Sequence, residues 1–322
     1  MLRILAVMAV AAATAWGAYW FVGARALDRA VTGALADHPE FVAESHRVRG
    51  FPNRFDLTLT APRLQSGPVS WQAPFLQVFA LSYRPHHVIV VFPHDQQLHL
   101  YGQSALLNSS DARASLVMTP GLALALERLA LVVQEPRLQI GGANHAADAL
   151  RLASRTDDPR RHEIVLEVEA AFPDPAFMDA LDPGGHWPRR FDVLRLEGQA
   201  LFDRPLDREA FDTALPRPVA VELTGGRLAF AGVDLQARGT VEPDAMGRLS
   251  GQVALTVTGW PALLERLAAS GLIDADQAGF LRPMLSGMAD PEAPDRIDLS
   301  LELREGAVAF GPVVLARLPP LF

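Results

Sequence analysis

The sequence contains no cysteine and no lysine, and each absence excludes several kinds of chemistry. Without cysteine there is no thiol nucleophile, thiolate metal site, iron–sulfur cluster, disulfide or lipoprotein anchor. Without lysine there is no Walker-type phosphate lysine, Schiff-base lysine or Ser-Lys dyad. All 29 basic residues are arginine and the formal net charge is -8, so we expect no nucleic-acid partner.

Catalytic motifs are also missing. There is no Gly-x-Ser-x-Gly elbow and no glycine-rich dinucleotide fingerprint, and Ser109-Ser110-Asp111 is typical of a turn. We therefore predict that the protein binds no cofactor and is not an enzyme. A hydrolase that uses scattered Asp, Glu and His side chains stays open as a third hypothesis.

The amino-terminal segment indicates a membrane anchor. Residues 4–22 carry no charge, and a helix rises about 1.5 Å per residue, so this length approaches the roughly 30 Å hydrocarbon core of a bilayer. Trp16, Tyr19 and Trp20 suit the aromatic belt at a membrane interface. We predict a transmembrane helix over residues 1–24.

A cleaved signal peptide is the alternative for this segment, because Ala13-Thr14-Ala15 resembles a small-residue cleavage site and Arg3 would be the basic n-region. Cleavage there would leave an apolar new terminus, which favours retention. Large domains that follow a first helix are translocated largely regardless of charge. We therefore predict a single-pass protein of the bacterial inner membrane, with its amino terminus in the cytoplasm and its body in the periplasm.

The body, residues 25–322, has the alternating pattern of a β-rich domain. In Phe55-Asp56-Leu57-Thr58-Leu59 the apolar side chains fall on one face, as in a half-buried strand. The predicted fold class is mainly β (β-rich α+β): a transmembrane helix, then a long, curved, mostly antiparallel sheet that forms a half-pipe or an open barrel or sandwich. Residues 25–38 continue the first helix, and a boundary near 182–189 divides the body into two lobes.

Residues 69–83 are interpreted as one strand with an aromatic stripe. Trp71, Phe75, Phe79 and Tyr83 share a parity, and on the other face Leu76, Val78 and Ala80 are apolar too. The same four-residue spacing fits a helix, but Pro74 favours a strand. The stripe is most simply sheet core, and a lipid-facing lining is the alternative.

A helical pair is predicted near residues 261–288. Pro261 suits the first position of a helix, and Gly271 separates it from a second one. Asp274 with Gln277 three residues later forms a capping signature for that second helix.

The densest group of metal-ligand types includes His87, Asp95 and His99, which would share one face of a continuous strand. Pro93 interrupts that register, so we predict no metal site and interpret these as exposed hairpin residues, with metal binding as the minor alternative. Glu163, Glu167 and Glu169 alternate with apolar residues, which is typical of a solvated strand face rather than of paired catalytic carboxylates.

Several segments resemble a membrane-anchored bacterial family called domain of unknown function 2125. They are the membrane segment, Arg49 to Leu57, Ala73 to Pro85, Ala200 to Asp203, Leu206-Asp207 and Gly306 to Pro320. The resemblance spans nearly the whole chain and implies an envelope location and a β-rich body, with no catalytic residues to carry over. In architecture the chain is also similar to AsmA-like envelope proteins, which join a membrane helix to a sheet curled into an apolar half-pipe.

The leading functional hypothesis is a non-catalytic envelope protein, anchored in the lipid bilayer, whose apolar sheet face holds a lipid ligand or assists envelope assembly. The second hypothesis is a packed scaffold that binds an envelope protein partner through exposed strand edges or the terminal segment.

Overall fold

The computed structural model describes residues 2–100, 102–212 and 216–322. Over these residues the protein is mainly β, with a long amino-terminal helix and two antiparallel sheets that do not close into a barrel. The predicted fold class is therefore confirmed. The helices are α1 (Leu2–Asp37), α2 (Pro175–Leu181), α3 (Glu209–Asp212), α4 (Trp260–Ala269) and α5 (Ala275–Met288).

The smaller sheet has seven strands. In spatial order they are β1 (Phe41–Val42), β4 (Arg63–Ser66), β5 (Val69–Gln72), β8 (Asp95–Leu100), β9 (Gln103–Asn108), β12 (Arg137–Ile140) and β13 (Ala143–Ala146).

The larger sheet has 16 strands. In spatial order they are β2 (Ser45–Arg49), β3 (Arg54–Thr60), β6 (Phe75–Leu81), β7 (Arg84–Phe92), β10 (Asp111–Met118), β11 (Leu126–Gln134), β14 (Ala149–Asp158), β15 (Arg161–Ala171), β16 (Phe191–Phe202), β17 (Pro218–Phe230), β18 (Val233–Pro243), β19 (Leu249–Thr258), β21 (Ala293–Arg304), β22 (Ala307–Phe310) and β23 (Val313–Arg317), with β20 (Ala289–Asp290) pairing only with β21.

The first half of the chain passes back and forth between the two sheets through two-residue corners. Ala61-Pro62 joins β3 to β4, and Ala73-Pro74 joins β5 to β6. These corners bond to each other, because Ala61 N donates to Pro74 O at 2.8 Å and Ala73 N donates to Pro62 O at 3.2 Å. Proline has no N–H to donate, so it suits a position where a strand leaves its ladder. Each long strand is thus bent where the sheets meet.

The prediction of one strand over residues 69–83 is wrong. The chain bends at Ala73-Pro74, so β5 belongs to the smaller sheet and β6 to the larger one, and Tyr83 lies in the turn that follows. Pro74 ends the ladder because it lacks a backbone donor. Alternation continues across the bend, which is why the sequence pattern did not show it.

The long first helix agrees with the sequence. α1 runs unbroken to Asp37, just before Pro39, and it is long and apolar enough to cross a membrane. The predicted helical pair is confirmed as α4 and α5, and Asp274 caps α5 with a bond of 2.7 Å from Gln277 N. The larger sheet continues past the predicted boundary at 182–189, because β15 pairs with β16; the division into two lobes stays a prediction.

Candidate functional site

One face of the larger sheet is apolar across most of its width, and we call it the apolar face. Residues directly opposite each other on paired strands share a face, so the pairing register gives its rows. One row is Leu57, Val78, Val90, Ala114, Leu131, Leu152, Leu166, Leu196, Gly226, Ala237, Leu255 and Leu299. A second row is Phe92, Ala112, Val133, Leu150, Val168, Leu194, Leu228, Leu235, Val257 and Ile297.

The middle of the apolar face is incompletely covered. Leu152 and Leu166 are only half-buried, and Leu196 beside them is 40 % exposed. The accessible surface of the chain is 19471 Å², whereas a compact protein of 34.9 kDa is expected to have about 13,000 Å². The exposed α1 helix contributes part of this excess, and the open apolar face contributes another part.

An apolar cleft of about 340 Å³ lies between α1 and the start of the apolar face. Its walls are Tyr19, Gly23 and Leu27 on the helix, and Phe55, Leu57, Val78, Ala80, Pro85 and Val88 on strands β3, β6 and β7 of the sheet. Gly23 permits this close approach, since a Cβ at that position would lie 2.7 Å from Cζ of Phe55. The cleft opens where the helix leaves its most apolar segment.

Three aromatic side chains of α1 bond to two neighbouring hairpins. The indole N–H of Trp20 donates to Arg54 O at 2.6 Å, and that of Trp16 donates to Pro52 O at 3.0 Å. The Tyr19 hydroxyl donates to Ser82 O at 2.6 Å. Sequence analysis placed these residues in a membrane interface but did not show that they attach the helix to the sheet.

The two sheets approach each other near their shared corners. The rings of Trp71 and Phe92, one from each sheet, meet edge to face with centroids 6.4 Å apart. Further along, an apolar pocket of about 260 Å³ lies between Leu138 of the smaller sheet and Val168 of the larger one. The smaller sheet therefore lines one side of the apolar face.

Helices cover the other end of the apolar face. Trp260 and Leu264 of α4 pack on Val233, Val257 and Ile297. A second cluster there joins Met178 and Trp187 to Phe230. Both clusters lie at the strand ends opposite the hairpins that hold α1. The apolar face is therefore covered by α1 at one end and by these clusters at the other, and it is open between them.

The opposite face of the larger sheet is charged. Arg151 bonds to Glu167 at 3.1 Å and to Glu169 at 2.9 Å, and Arg195 also pairs with Glu167. Arg155 pairs with Glu163 at 2.5 Å, in a polar groove of about 640 Å³. The three glutamates thus belong to cross-strand ion pairs on a solvated face, and exposed pairs of this kind contribute little to stability.

The four residues of the predicted aromatic stripe do not form one surface. Trp71 donates to Gln96 Oε1 at 2.9 Å in the space between the sheets. Phe79 lies on the charged side of the larger sheet, where the Arg54 guanidinium sits 5.7 Å from its ring centroid. Phe75 is at the start of β6, and Tyr83 is 58 % exposed in the turn after it. The apolar face is built instead from the opposite parity, including Val78 and Ala80.

The weak metal candidates are held by separate partners. His87 is in the larger sheet, with Nε2 2.9 Å from Ser115 Oγ. Asp95 and His99 are in the smaller sheet, where Asp95 accepts from Asn108 at 2.6 Å and His99 Nδ1 lies 3.1 Å from Ser104 Oγ. Among the described residues, no group of three His, Asp or Glu side chains is arranged to hold a metal ion.

His162 is a titratable group that sequence analysis did not single out. It is 1 % exposed on the apolar-face side of β15, and its Nδ1 lies 3.0 Å from Ser154 Oγ. Burial lowers the pKa of His162 below its ordinary value of 6.5, and the Pro159 carbonyl and Asp158 oppose only part of this effect. The imidazole is therefore neutral in the folded protein at pH 7.

This buried imidazole should make the stability depend on pH. The unfolded chain takes up the proton more readily than the folded one, so stability is full above about pH 6.5 and falls as the pH drops toward the lowered pKa. Replacing His162 with Gln should make the unfolding free energy depend less on pH between pH 6.5 and 5. Urea unfolding at several pH values measures this, and equal slopes for both proteins would contradict it.

Comparison with known proteins gives one match. Residues 20–319 match a family described as "Uncharacterized protein conserved in bacteria (DUF2125)". No curated protein and no solved structure matches the chain significantly.

Proposed function

The chain belongs to the uncharacterised bacterial family DUF2125, and from that premise we propose that it is a non-catalytic protein, anchored in the inner membrane with its body in the periplasm, that holds the acyl chains of a membrane lipid on its apolar face. The observation that carries the proposal is the row formed by half-buried Leu152 and Leu166 and exposed Leu196, left open between the covered ends of that face.

An open apolar face of this extent calls for an occupant. Monomeric soluble proteins rarely expose contiguous apolar patches larger than a few hundred Å². Covering such a surface is favourable by about 25 cal/mol per Å², and each acyl CH₂ removed from water contributes about 0.8 kcal/mol. Every residue of the two rows is apolar, so an alkyl chain that lies along them would displace no charged or polar side chain of those rows.

The cleft beside α1 gives such a chain a route from the bilayer. At about 1.5 Å per residue, the uncharged segment of residues 4–22 reaches the far side of a roughly 30 Å hydrocarbon core near Val22. The cleft lies beside Tyr19 to Leu27, at and just beyond that level. Its sheet wall includes Leu57 and Val78, which begin the row that leads to Leu196. A lipid tail leaving the membrane would therefore meet apolar side chains along its path.

A second candidate function is a scaffold that binds an envelope protein by strand addition. The last strand, β23, is at the edge of the larger sheet, and Val314 and Leu315 are 54 % and 57 % exposed. An exposed edge with free backbone groups can pair with an added strand. This candidate uses the sheet edge and leaves the apolar face unexplained, so we rank it second.

A charge placed on the apolar face should weaken lipid binding. We expect Leu196→Asp to reduce labelling by a photoactivatable fatty acid several-fold, because a carboxylate beside Leu166 would have to be desolvated by the acyl chain. Labelling is measured on the full chain in detergent by mass spectrometry.

The matched control is Ala153→Asp, which puts the same charge on the solvated side of β14, where Ala153 is exposed. It should label like the unaltered protein, and circular dichroism should show that both variants are folded. Equal labelling of the two variants would count against lipid binding on this face.

A further inference from the structure

We propose that the tips of the β2–β3 and β6–β7 hairpins lie in the interfacial layer of the membrane that α1 spans, with Phe51 and Tyr83 inserted among the lipid headgroups. This inference rests on the proposed membrane anchoring. It adds a second membrane contact, made by the body itself, which fixes how the sheet is oriented over the bilayer.

The attachment points on α1 set the depth of the two tips. They are Trp16, Tyr19 and Trp20, in the second half of the uncharged segment, residues 4–22, whose helix is about 30 Å long. The Phe51 ring lies 5.6 Å from that of Phe21 and stacks on it, and it comes within 3.8 Å of a Cβ built on Gly17. If the helix spans the bilayer, the Phe51 ring is at the level where hydrocarbon meets headgroups.

Backbone carbonyl groups near the two tips have hydrogen-bond donors within the protein, as a site with little water requires. Carbonyl groups in a membrane must find a donor within the protein, since each unsatisfied group is costly there. The carbonyls of Pro52, Arg54 and Ser82 all accept side-chain hydrogen bonds from aromatic residues of α1. The donors are those expected at an interface, because Trp and Tyr combine an apolar ring with a polar tip.

The side chains at the two tips are aromatic and exposed to solvent. Phe51 is 56 % exposed, Tyr83 is 58 % exposed and Phe21 of the helix is 55 % exposed, all on neighbouring parts of one surface. Arg84 follows Tyr83 and is also exposed, so its guanidinium is available to a lipid phosphate. Adjacent strands twist by roughly 20–25°, so hairpins further along the sheet turn away from this plane and are not part of the proposal.

The absence of cysteine makes the proposal directly testable by site-directed labelling. A nitroxide is attached to Tyr83→Cys, Phe51→Cys, Val10→Cys and Leu106→Cys in the full chain, which is reconstituted in phosphatidylcholine–phosphatidylglycerol vesicles. Collision with oxygen and with a water-soluble nickel chelate reports depth. We expect the oxygen-to-nickel ratio at positions 51 and 83 to be several-fold above that at 106.

The remaining positions make each outcome decisive. Leu106 is a comparable apolar residue, 44 % exposed, but it lies in the smaller sheet beyond a strand corner. Val10 reports the span itself. If position 10 is in the bilayer while positions 51 and 83 have the same oxygen-to-nickel ratio as position 106, the two tips are not inserted in the membrane. That result would leave the proposal of lipid binding on the apolar face unaffected. If position 10 is in water, the anchor and the inserted tips both fail. Tyr83 is 58 % exposed, so its replacement removes little buried surface and position 83 remains decisive if Phe51→Cys fails to fold.

Discussion

Replacing Trp20 with Ala is expected to release α1 from the sheet and destabilise the protein by about 3–5 kcal/mol, the range for a buried aromatic residue. Trp20 is 6 % exposed, stacks on Phe55 with ring centroids 6.1 Å apart, and meets Phe51 edge to face at 5.4 Å. Its substitution removes this packing and leaves the Arg54 carbonyl without its indole donor. The unfolding free energy of the detergent-solubilised protein, measured with urea, gives the effect.

Trp16→Phe is the matched control for this change. Trp16 is 38 % exposed and contributes one hydrogen bond, to Pro52 O, so its loss should cost about 1 kcal/mol. A Trp20→Ala protein no less stable than Trp16→Phe would show that the buried indole does not hold the helix in place.

Adding a single methyl group at Gly239 is expected to disrupt the pairing of β18 with β19. A Cβ at this position would lie 2.2 Å from Gln252 O and 2.7 Å from Val253 Cα. Both are backbone atoms of the paired strand, so the steric clash can be relieved only if the two strands separate. We expect Gly239→Ala to lower the unfolding free energy by about 3 kcal/mol, the upper part of the usual range for overpacking. Thermal unfolding followed by circular dichroism measures the loss.

The same substitution in a helix should have the opposite sign. Gly279 lies within α5, and a Cβ there would meet no atom within 4 Å. Gly279→Ala should therefore stabilise the protein by about 0.4–1 kcal/mol, since Ala loses less backbone entropy on folding. If both alanine variants shifted stability in the same direction, the close strand approach at Gly239 would be in doubt.

Much of the fold follows from local patterns. The uncharged run of residues 4–22 predicts α1, and alternation in Phe55-Asp56-Leu57 predicts both β3 and the face it buries. The Asp274–Gln277 spacing predicts the start of α5, because a capping box is a local interaction between adjacent turns of chain. Each of these features depends on residues that are close in sequence.

The two-sheet arrangement could not be predicted in the same way. A bent strand such as residues 69–81 keeps its alternation through Ala73-Pro74, so periodicity does not reveal that its halves join different sheets. The rows of the apolar face likewise depend on pairing between strands that are distant in sequence. Val78, Val90 and Leu131 come together through the register alone, and no spacing in the sequence encodes that register.

Part of the candidate site could be predicted from the sequence. The sequence showed that residues 69–83 are apolar on both faces, and the larger aromatic side chains drew the prediction to the Trp71–Tyr83 parity. The structure places Phe79 with the charged face, and Val78 and Ala80 face α1. Side-chain size was a weaker guide than continuity with Leu57 and Leu59 on the adjacent strand.

If lipid occupies the apolar face, the mass of the intact protein will include it. The full chain is extracted in mild detergent and its non-covalent mass is recorded before and after collisional release of bound molecules. We expect a released lipid from the unaltered protein and from Ala153→Asp, with little or none from Leu196→Asp. Absence of lipid from all three preparations would rule out a lipid-holding apolar face.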